Sequence, residues 1–600
     1  MPTTLTPIWA LLTEWRLDAL GAVFAIPVLV LVVVTGGYAL PYLRQERYRE
    51  ESATRFWICF VLFGAGMLAT VAAWDLLQFV VAWEVMTLAS YVLVAHETSE
   101  RGAVRAAFKY FVMTHAASAC LLLAVMLLWA EGGTLGFDGL RGVLAAMAEE
   151  RPVLLHVVLA LLFVAFATKA GLYPLGDWLP DAHPAAPAPV SAVLSGIMVK
   201  VGLYGFLRFF VWGLAAASPA IAAAWGYPLA AAGAVSALLG GLAACAAQDI
   251  KVMLAYSSIA QSGLIALGIG AALVLAPQAP VLAQLALLGA LFHTVGDAVV
   301  KALLFLAAGS LQYRTGSRRL EDMGGLFRAM PVTAWTALLA SLSIAGFPPL
   351  TAFVGKWLML QGSVLSGSPS LVGAGIVLLV ASVLSILYAL KFFSAAFLAG
   401  PARPGRLEVP AAMAGAQVVL AGLTLALGLA PGLWLGLLAP ALAGPSLPGV
   451  EVPVGWAVLG FGPASGAYVP LLLVVAGAWT SALAVLAVGR ARARRSVRTW
   501  MGGAEAGADP APLHAAGFFV PMREAMGGSY SRLRFRAVVL PGWVPSAVNA
   551  DRWFYRPAVR AFRGMGEALQ RAHTGTAHRY IVWQLIGALV LITLLFVERP

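Results

Sequence analysis

Ala165-Phe166-Ala167-Thr168-Lys169-Ala170-Gly171-Leu172-Tyr173-Pro174 closes an apolar run that begins near residue 153, and Asp177-Trp178-Leu179-Pro180-Asp181-Ala182-His183 follows almost at once. A helix that takes in a lysine and then meets glycine and two prolines must break. In lipid, broken backbone is tolerated only where it is buried in protein or lines a wet cavity. The same event recurs at Gly346-Phe347-Pro348-Pro349, and Phe353-Val354-Gly355-Lys356 follows it with another lysine.

Composition supports a membrane setting for both breaks. Of 600 residues 61% are hydrophobic and 11% are charged, and mean hydropathy is +0.87. An ordinary soluble protein is about 25% charged. So little polar surface excludes a soluble enzyme, a nucleic-acid module and a disordered chain. The net charge of +12 belongs to loops. Seven residues are lysine and 32 are arginine, and every lysine lies in or against an apolar run. A desolvated lysine can give up its proton, whereas arginine essentially cannot. This distribution suits proton movement. Cys59, Cys120 and Cys245 sit in apolar runs without paired spacing, so they read as packing residues and no iron–sulfur, zinc or disulfide framework is expected.

A bilayer crossing needs roughly 20 apolar residues. Spans are expected near 18–42, 55–73, 76–95, 106–130, 153–173, 188–212, 223–247, 251–275, 281–309, 331–360, 371–399, 411–439, 468–490 and 578–597. The class is therefore all-α and polytopic, with about 14 transmembrane helices. Arginine clusters such as Arg44, Arg47 and Arg49, or Arg314, Arg318 and Arg319, fall in alternate loops. The excess of basic residues marks the cytoplasmic side, which puts both termini on the periplasmic side of a bacterial inner membrane. Residues 490–577 form the one sizeable polar segment, with 14 Arg against five acidic residues. It reads as a headgroup-contacting flank or a docking surface for a partner.

Charge inside a membrane costs about 2.5–3.5 kcal/mol per group on insertion scales. Glu84, Lys169, Lys200, Lys301 and Lys356 must therefore pair or meet water. Glu84 lies mid-span and serves either as a packing ion pair or as a station on a proton path. His293, Asp297 and Lys301 are spaced four apart, which places them on one helix face as a titratable row. His115, Asp181 and His183 are weaker candidates, with capping of a turn the alternative for His183. Lys109, Lys251 and Lys391 lie nearer span ends and are expected to snorkel. No metal site is expected.

Taken in order, Trp83-Glu84, Lys109-Tyr110-Phe111, Thr168 to Pro174, Trp178 to His183, Ala186 to Ala192, Leu254 to Ile259, Phe292-His293, Lys301 to Phe305, Gly346 to Pro349 and Lys356 form a pattern. It resembles the antiporter-like, proton-conducting subunits of respiratory complex I, Mrp-type cation/proton antiporters and group 4 hydrogenases. Within that family it is most similar to the hydrogenase-4 and formate hydrogenlyase large membrane subunits. The resemblance covers residues 74–400. It implies two inverted five-helix repeats, each with a broken helix and a half-channel, joined by a polar axis. It also implies a Glu84–Lys169 charge pair, transfer through Lys200 to His293 and Lys301, and exit at Lys356. Asp297 departs from the family pattern. The first span, from Leu17-Asp18-Ala19-Leu20, resembles the family's third, and no long lateral helix is expected between the last two spans.

The expected organisation is an N-terminal helix and basic loop (1–54), two repeats (55–212 and 213–400), two peripheral helices (401–490), a basic cytoplasmic segment (491–577) and a last span (578–600). The implied function is proton translocation within a redox-driven complex. A cation/proton antiporter subunit and a structural or coupling subunit are the alternatives. No cofactor is expected in the chain. Its expected partners are other membrane subunits and lipid, with no nucleic acid.

Overall fold

Apolar runs of this length can satisfy their backbone in lipid only as helices, and the computed structural model is built of them. It describes residues 15–399, 403–442, 469–490, 554–557 and 559–560. The chain divides into two compact units, Met1–Val520 and Pro521–Pro600. In the second, Arg560 Nε donates to the Arg556 carbonyl at 3.3 Å. The span expected at 578–597 and the segment 491–553 lie outside the described residues.

The first unit begins with α1 (Ala19–Tyr42), α2 (Ala53–Ala72), α3 (Leu76–Val94) and α4 (Arg101–Gly132). A short α5 (Phe137–Glu150) precedes the broken pair α6 (Pro152–Ala170) and α7 (Leu179–Ala185). Then come α8 (Ala188–Ala217), α9 (Pro219–Ala246), α10 (Ile250–Leu275) and α11 (Pro280–Thr315). A second broken pair, α12 (Pro331–Ala345) and α13 (Thr351–Val364), leads to α14 (Pro369–Leu398). The series ends with α15 (Ala411–Leu429), α16 (Pro431–Leu442) and α17 (Pro470–Arg490). Eleven of these helices are long and apolar enough to cross a membrane.

One expected span needs correction, and one helix is additional. The span at 411–439 is interrupted: Ala430 leaves helical geometry at φ −125°, and Pro431 opens a new helix. Proline has no N–H to continue the ladder but suits a first helical position. The helix α5 was not expected. It is amphipathic, burying Leu140, Leu144 and Met147 on one stripe, and is too short and too charged to register as a span.

The local events of α2–α8 recur in α9–α14. Asp75 caps α3 by accepting from Leu77 N and Gln78 N, at 2.7 and 3.2 Å. Asp249 caps α10 by accepting from Lys251 N and Val252 N, at 2.8 and 3.2 Å. Each cap lies in a single antiparallel bridge to the chain beyond the next long helix, Asp75 with Gly136 and Asp249 with Arg319. Each broken helix ends on a left-handed glycine, Gly171 (φ +73°) and Gly346 (φ +84°). The first set makes five crossings, so α9 starts from the opposite face to α2 and runs the other way.

The centre belongs to α8, α10 and α11, whose apolar windows are 100%, 100% and 94% buried. Close approach of α9 to α10 requires glycine. A Cβ on Gly233 would lie 2.5 Å from Leu267 N, and one on Gly263 would lie 2.5 Å from Ala237 N. Helix α1 lies across this centre. Tyr38 donates to the Leu306 carbonyl of α11 at 2.9 Å, and Asp18, at the head of α1, binds Arg208 of α8 through two bonds of 2.6 and 2.8 Å. Burial pushes the Asp18 carboxyl up, but the bonds and charge of Arg208 outweigh it and leave the group below its ordinary value.

Candidate proton-transfer axis

At the first break, α6 stops because Gly171 turns left-handed and Leu172 N returns to the Ala167 carbonyl at 2.9 Å. Only an unstrained φ > 0 residue closes a helix this way. Lys169, two residues upstream, is buried. Its Nζ donates to Thr87 Oγ1 at 2.7 Å and lies 5.5 Å from the Trp83 ring and 5.9 Å from the Tyr110 ring. Glu84 turns to a different partner, with Oε2 3.3 Å from His115 Nε2 and side chains 29% and 30% exposed. His115 Nδ1 is 3.1 Å from the Phe111 carbonyl. The implied Glu84–Lys169 pair is thus apart here, each group held by another residue.

Beyond this break, Lys109 is not a free snorkelling end. Asp177 and Asp181 hold its ammonium at 2.8 and 2.7 Å, and it also donates to the Asp177 carbonyl at 2.9 Å. Asp181 is therefore a counterion of Lys109.

At the centre, Lys200 and Asp297 form an ion pair of 2.6 Å with side chains 0% and 2% exposed. Lys200 also donates to the Ser195 carbonyl at 2.7 Å. The π-helical turn Leu194–Met198, which holds Ser195, lies immediately before it, and such single turns inside α-helices are frequent at functional sites. This pair joins the first repeat to the second. His293, Asp297 and Lys301 share one face of α11, as their spacing requires. His293 Nε2 is 2.8 Å from Gln261 Oε1, and Lys301 donates to Ser257 Oγ. Ser258 Oγ is 2.6 Å from Ser195 Oγ, linking α10 back to α8.

At the second break, Lys356 of α13 is buried and donates to the Ile344 carbonyl at 3.2 Å. Gln261 continues outward, donating through Nε2 to Tyr388 Oη at 2.6 Å and Ser385 Oγ at 3.1 Å on α14.

The remaining expectations are corrected. The His183 side chain caps no turn. It is fully buried and stacked on Phe305 at 4.6 Å, and neither ring nitrogen has a partner among the described residues. Lys251 and Lys391 are buried, not snorkelled. Lys251 donates to the Ala186 carbonyl at 2.9 Å, and Lys391 to those of Cys245 and Ala247 at 2.8 and 2.6 Å. Carbonyls at helix C-termini attract cations, and these lie at the ends of α7 and α9. Sequence reasoning missed Thr87, Ser257, Gln261 and Tyr388. For Gln261 the available signal was a lone amide in an apolar helix at membrane depth, which is a functional candidate by default; the three hydroxyl residues carried no such signal.

Residues 73–385 match the family model described as NADH:quinone oxidoreductase/Mrp antiporter, TM. Hydrogenase-4 component B of Escherichia coli (strain K12) is 38% identical over 343 residues, covering 57% of this chain and 50% of that protein. The chain thus spans half the length of that relative. NADH-quinone oxidoreductase subunit N of Desulforudis audaxviator is 35% identical over 427 residues, covering 68% and 79%. Among solved structures, a chain of the membrane-bound sulfane sulfur reductase, an archaeal respiratory membrane complex, superposes with a TM-score of 0.77 at 25% identity, covering 97% of this chain and 92% of that one.

Proposed function

Because the chain belongs to the NADH:quinone oxidoreductase/Mrp antiporter family of membrane subunits, we propose that it is a proton-translocating subunit of a larger redox-driven membrane complex, of hydrogenase-4 or complex I type. The observation that carries this reading is the buried Lys200–Asp297 pair at the junction of the repeats, flanked by Lys169 on one side and by Lys301, His293 and Lys356 on the other. A carboxylate beside a lysine holds its proton in place, and separating the two releases it. The repeats, residues 55–212 and 213–400, each supply a half-channel, and the pair is the switch between them. Redox chemistry resides in partner subunits. The arginine-rich loops face the cytoplasm, and both termini face the periplasm.

A second observation supports assembly with other membrane subunits. Glu84 and His115 are each about 30% exposed in this chain, and Glu84 sits midway along α3. A polar pair at that depth is costly against lipid, so a neighbouring helix covers it in the complex. Sodium exchange of the Mrp kind is the less favoured reading. A hard cation needs a cage of oxygens, and Asp297 at the centre is already taken by Lys200.

The test is proton uptake by vesicles holding the native complex, wild type against Lys200→Ala and Lys169→Ala. Loss of uptake with assembly intact is the expected result. Unchanged uptake in both variants overturns the proposal and leaves a scaffolding subunit.

A further inference from the structure

Away from the axis, the first repeat bears an open cleft of about 240 Å³ lined by Trp74, Phe137, Asp138, Arg141, Arg208 and Trp212. It lies where the α2–α3 connection, the start of α5 and the end of α8 converge. By the count of crossings this face is opposite the arginine-rich loops at 43–52 and 95–105. Basic residues are scarce on this face, yet Arg16, Arg141 and Arg208 gather here.

The charges around the cleft do not balance. Arg208 is fully engaged, bound to Asp18 by two bonds and to Tyr204 Oη by two more. Asp138 faces Arg16 at 3.8 Å, and its Oδ2 accepts from Trp74 Nε1 at 2.8 Å. Arg141 is left over. Its Nε donates to the Trp212 carbonyl at 3.0 Å, its guanidinium lies 5.9 Å from the Trp212 ring, and its two Nη groups have no partner among the described residues. Burial, reinforced by the Arg208 charge, holds the guanidinium below its ordinary value against the weaker pull of Asp138. Counting Arg16, Asp18, Asp138, Arg141 and Arg208, one positive charge remains uncompensated, and the forked donor that carries it lines the cleft together with Trp74, under Arg16 at 5.2 Å, and Trp212, under Arg208 at 5.6 Å.

We propose that this cleft binds a phosphate oxyanion at the membrane surface, with Arg141 as its bidentate donor and Trp74 and Trp212 as its walls. The planar guanidinium fork matches two phosphate oxygens. Indole rings favour the depth at which lipid headgroups lie. The phosphate is supplied either by an anionic lipid headgroup or by free phosphate, since both present the same oxygens. The site is independent of the proton axis and does not rest on it.

The test uses the full chain in its native complex, reconstituted into phosphatidylcholine nanodiscs with and without phosphatidylglycerol. Retained lipid is read by native mass spectrometry, and inorganic phosphate is titrated against tryptophan fluorescence in the phosphatidylcholine discs. A lipid site gives phosphatidylglycerol retention that falls about tenfold, or 1.4 kcal/mol, in Arg141→Gln, with no fluorescence response to inorganic phosphate. A free-phosphate site gives a saturable response that Arg141→Gln abolishes, with no preference between the two lipids. Arg141→Lys keeps the charge but loses the fork, and retains only part of either signal. It also serves as the readout if Arg141→Gln fails to assemble. If wild type shows neither lipid retention nor a phosphate response, or if the variants match wild type in both, the proposal is overturned.

Discussion

The two breaks are built alike and charged differently. Both close on a left-handed glycine whose following N–H returns five residues, Leu172 to Ala167 and Phe347 to Leu342. In the first repeat the residue two before the glycine is Lys169, and its amine reaches across to a hydroxyl on α3. In the second that position is Ile344. The lysine comes from the far half of the break, and Lys356 reaches back to the Ile344 carbonyl itself. The partner helices differ in step. Counting from the capping aspartates, Glu84 corresponds to Ser258 and Thr87 to Gln261. The first repeat therefore has its carboxylate at a partly exposed rim beside His115, whereas the second has Asp297 sealed at the centre. One scaffold supports two ways of stabilising a buried ammonium, and the two carboxylates differ in exposure, Glu84 being partly exposed and Asp297 sealed.

The largest effect is expected at the seam. Asp297→Ala leaves Lys200 buried without its counter-charge, which costs about 3–5 kcal/mol, and it stops proton uptake. Replacing both residues, Lys200→Met with Asp297→Leu, restores most of the stability while uptake stays absent, since apolar packing can stand in for a buried pair but cannot carry a proton. Thermal unfolding and uptake of the single and double variants in nanodiscs and vesicles measure this. Restored uptake in the double variant would break the assignment of the seam as a switch.

Next is the exchange of anchors. Lys356→Leu is expected to lower uptake at least tenfold, about 1.4 kcal/mol in the barrier. Adding Ile344→Lys rebuilds the geometry of the first repeat in the second. Partial recovery of uptake in the double variant shows that the place of the ammonium matters more than the helix that carries it. No recovery shows that the two breaks are not interchangeable.

The rim is expected to respond more weakly. His115→Leu frees Glu84 to approach Lys169 and changes uptake by a few-fold, while Glu84→Gln lowers it further. The measurement is the initial uptake rate of each variant. The opposite ranking would mean that His115, not Glu84, is the working member of the pair.

These differences explain what was legible in the sequence. Long apolar runs, the two glycine–proline breaks and the four-residue spacing of His293, Asp297 and Lys301 are local patterns, so they showed both the crossings and the shared face. The Lys200–Asp297 bond joins residues far apart in the chain, and nothing local in either run names its partner. Lys251 and Lys391 misled because a lysine near a span end can snorkel or turn inward. The deciding feature is a free carbonyl on another helix, at Ala186 or at Cys245 and Ala247. Helix α5 leaves little trace in the sequence because its apolar stripe is only a few residues wide.

The smallest effect concerns what ties the first repeat down. Asp18 is a carboxylate whose folded-state value is depressed by Arg208 despite burial. The unfolded chain binds its proton more readily, so the bond's contribution is fully present above the ordinary aspartate value of about 3.9 and is lost as pH falls through the lower folded value. With Asp18 about 20% and Arg208 about 5% exposed, the contribution is about 1 kcal/mol at neutral pH. Thermal unfolding of wild type and Asp18→Asn in nanodiscs should therefore differ by a constant amount from about pH 7 down to about pH 5 and converge as pH falls through the lowered folded value. A gap that widens as pH falls would mean that Asp18 is protonated in the folded chain and that Arg208 is held by Tyr204 alone. Helix α1 would then be fixed to α8 by packing and not by this ion pair.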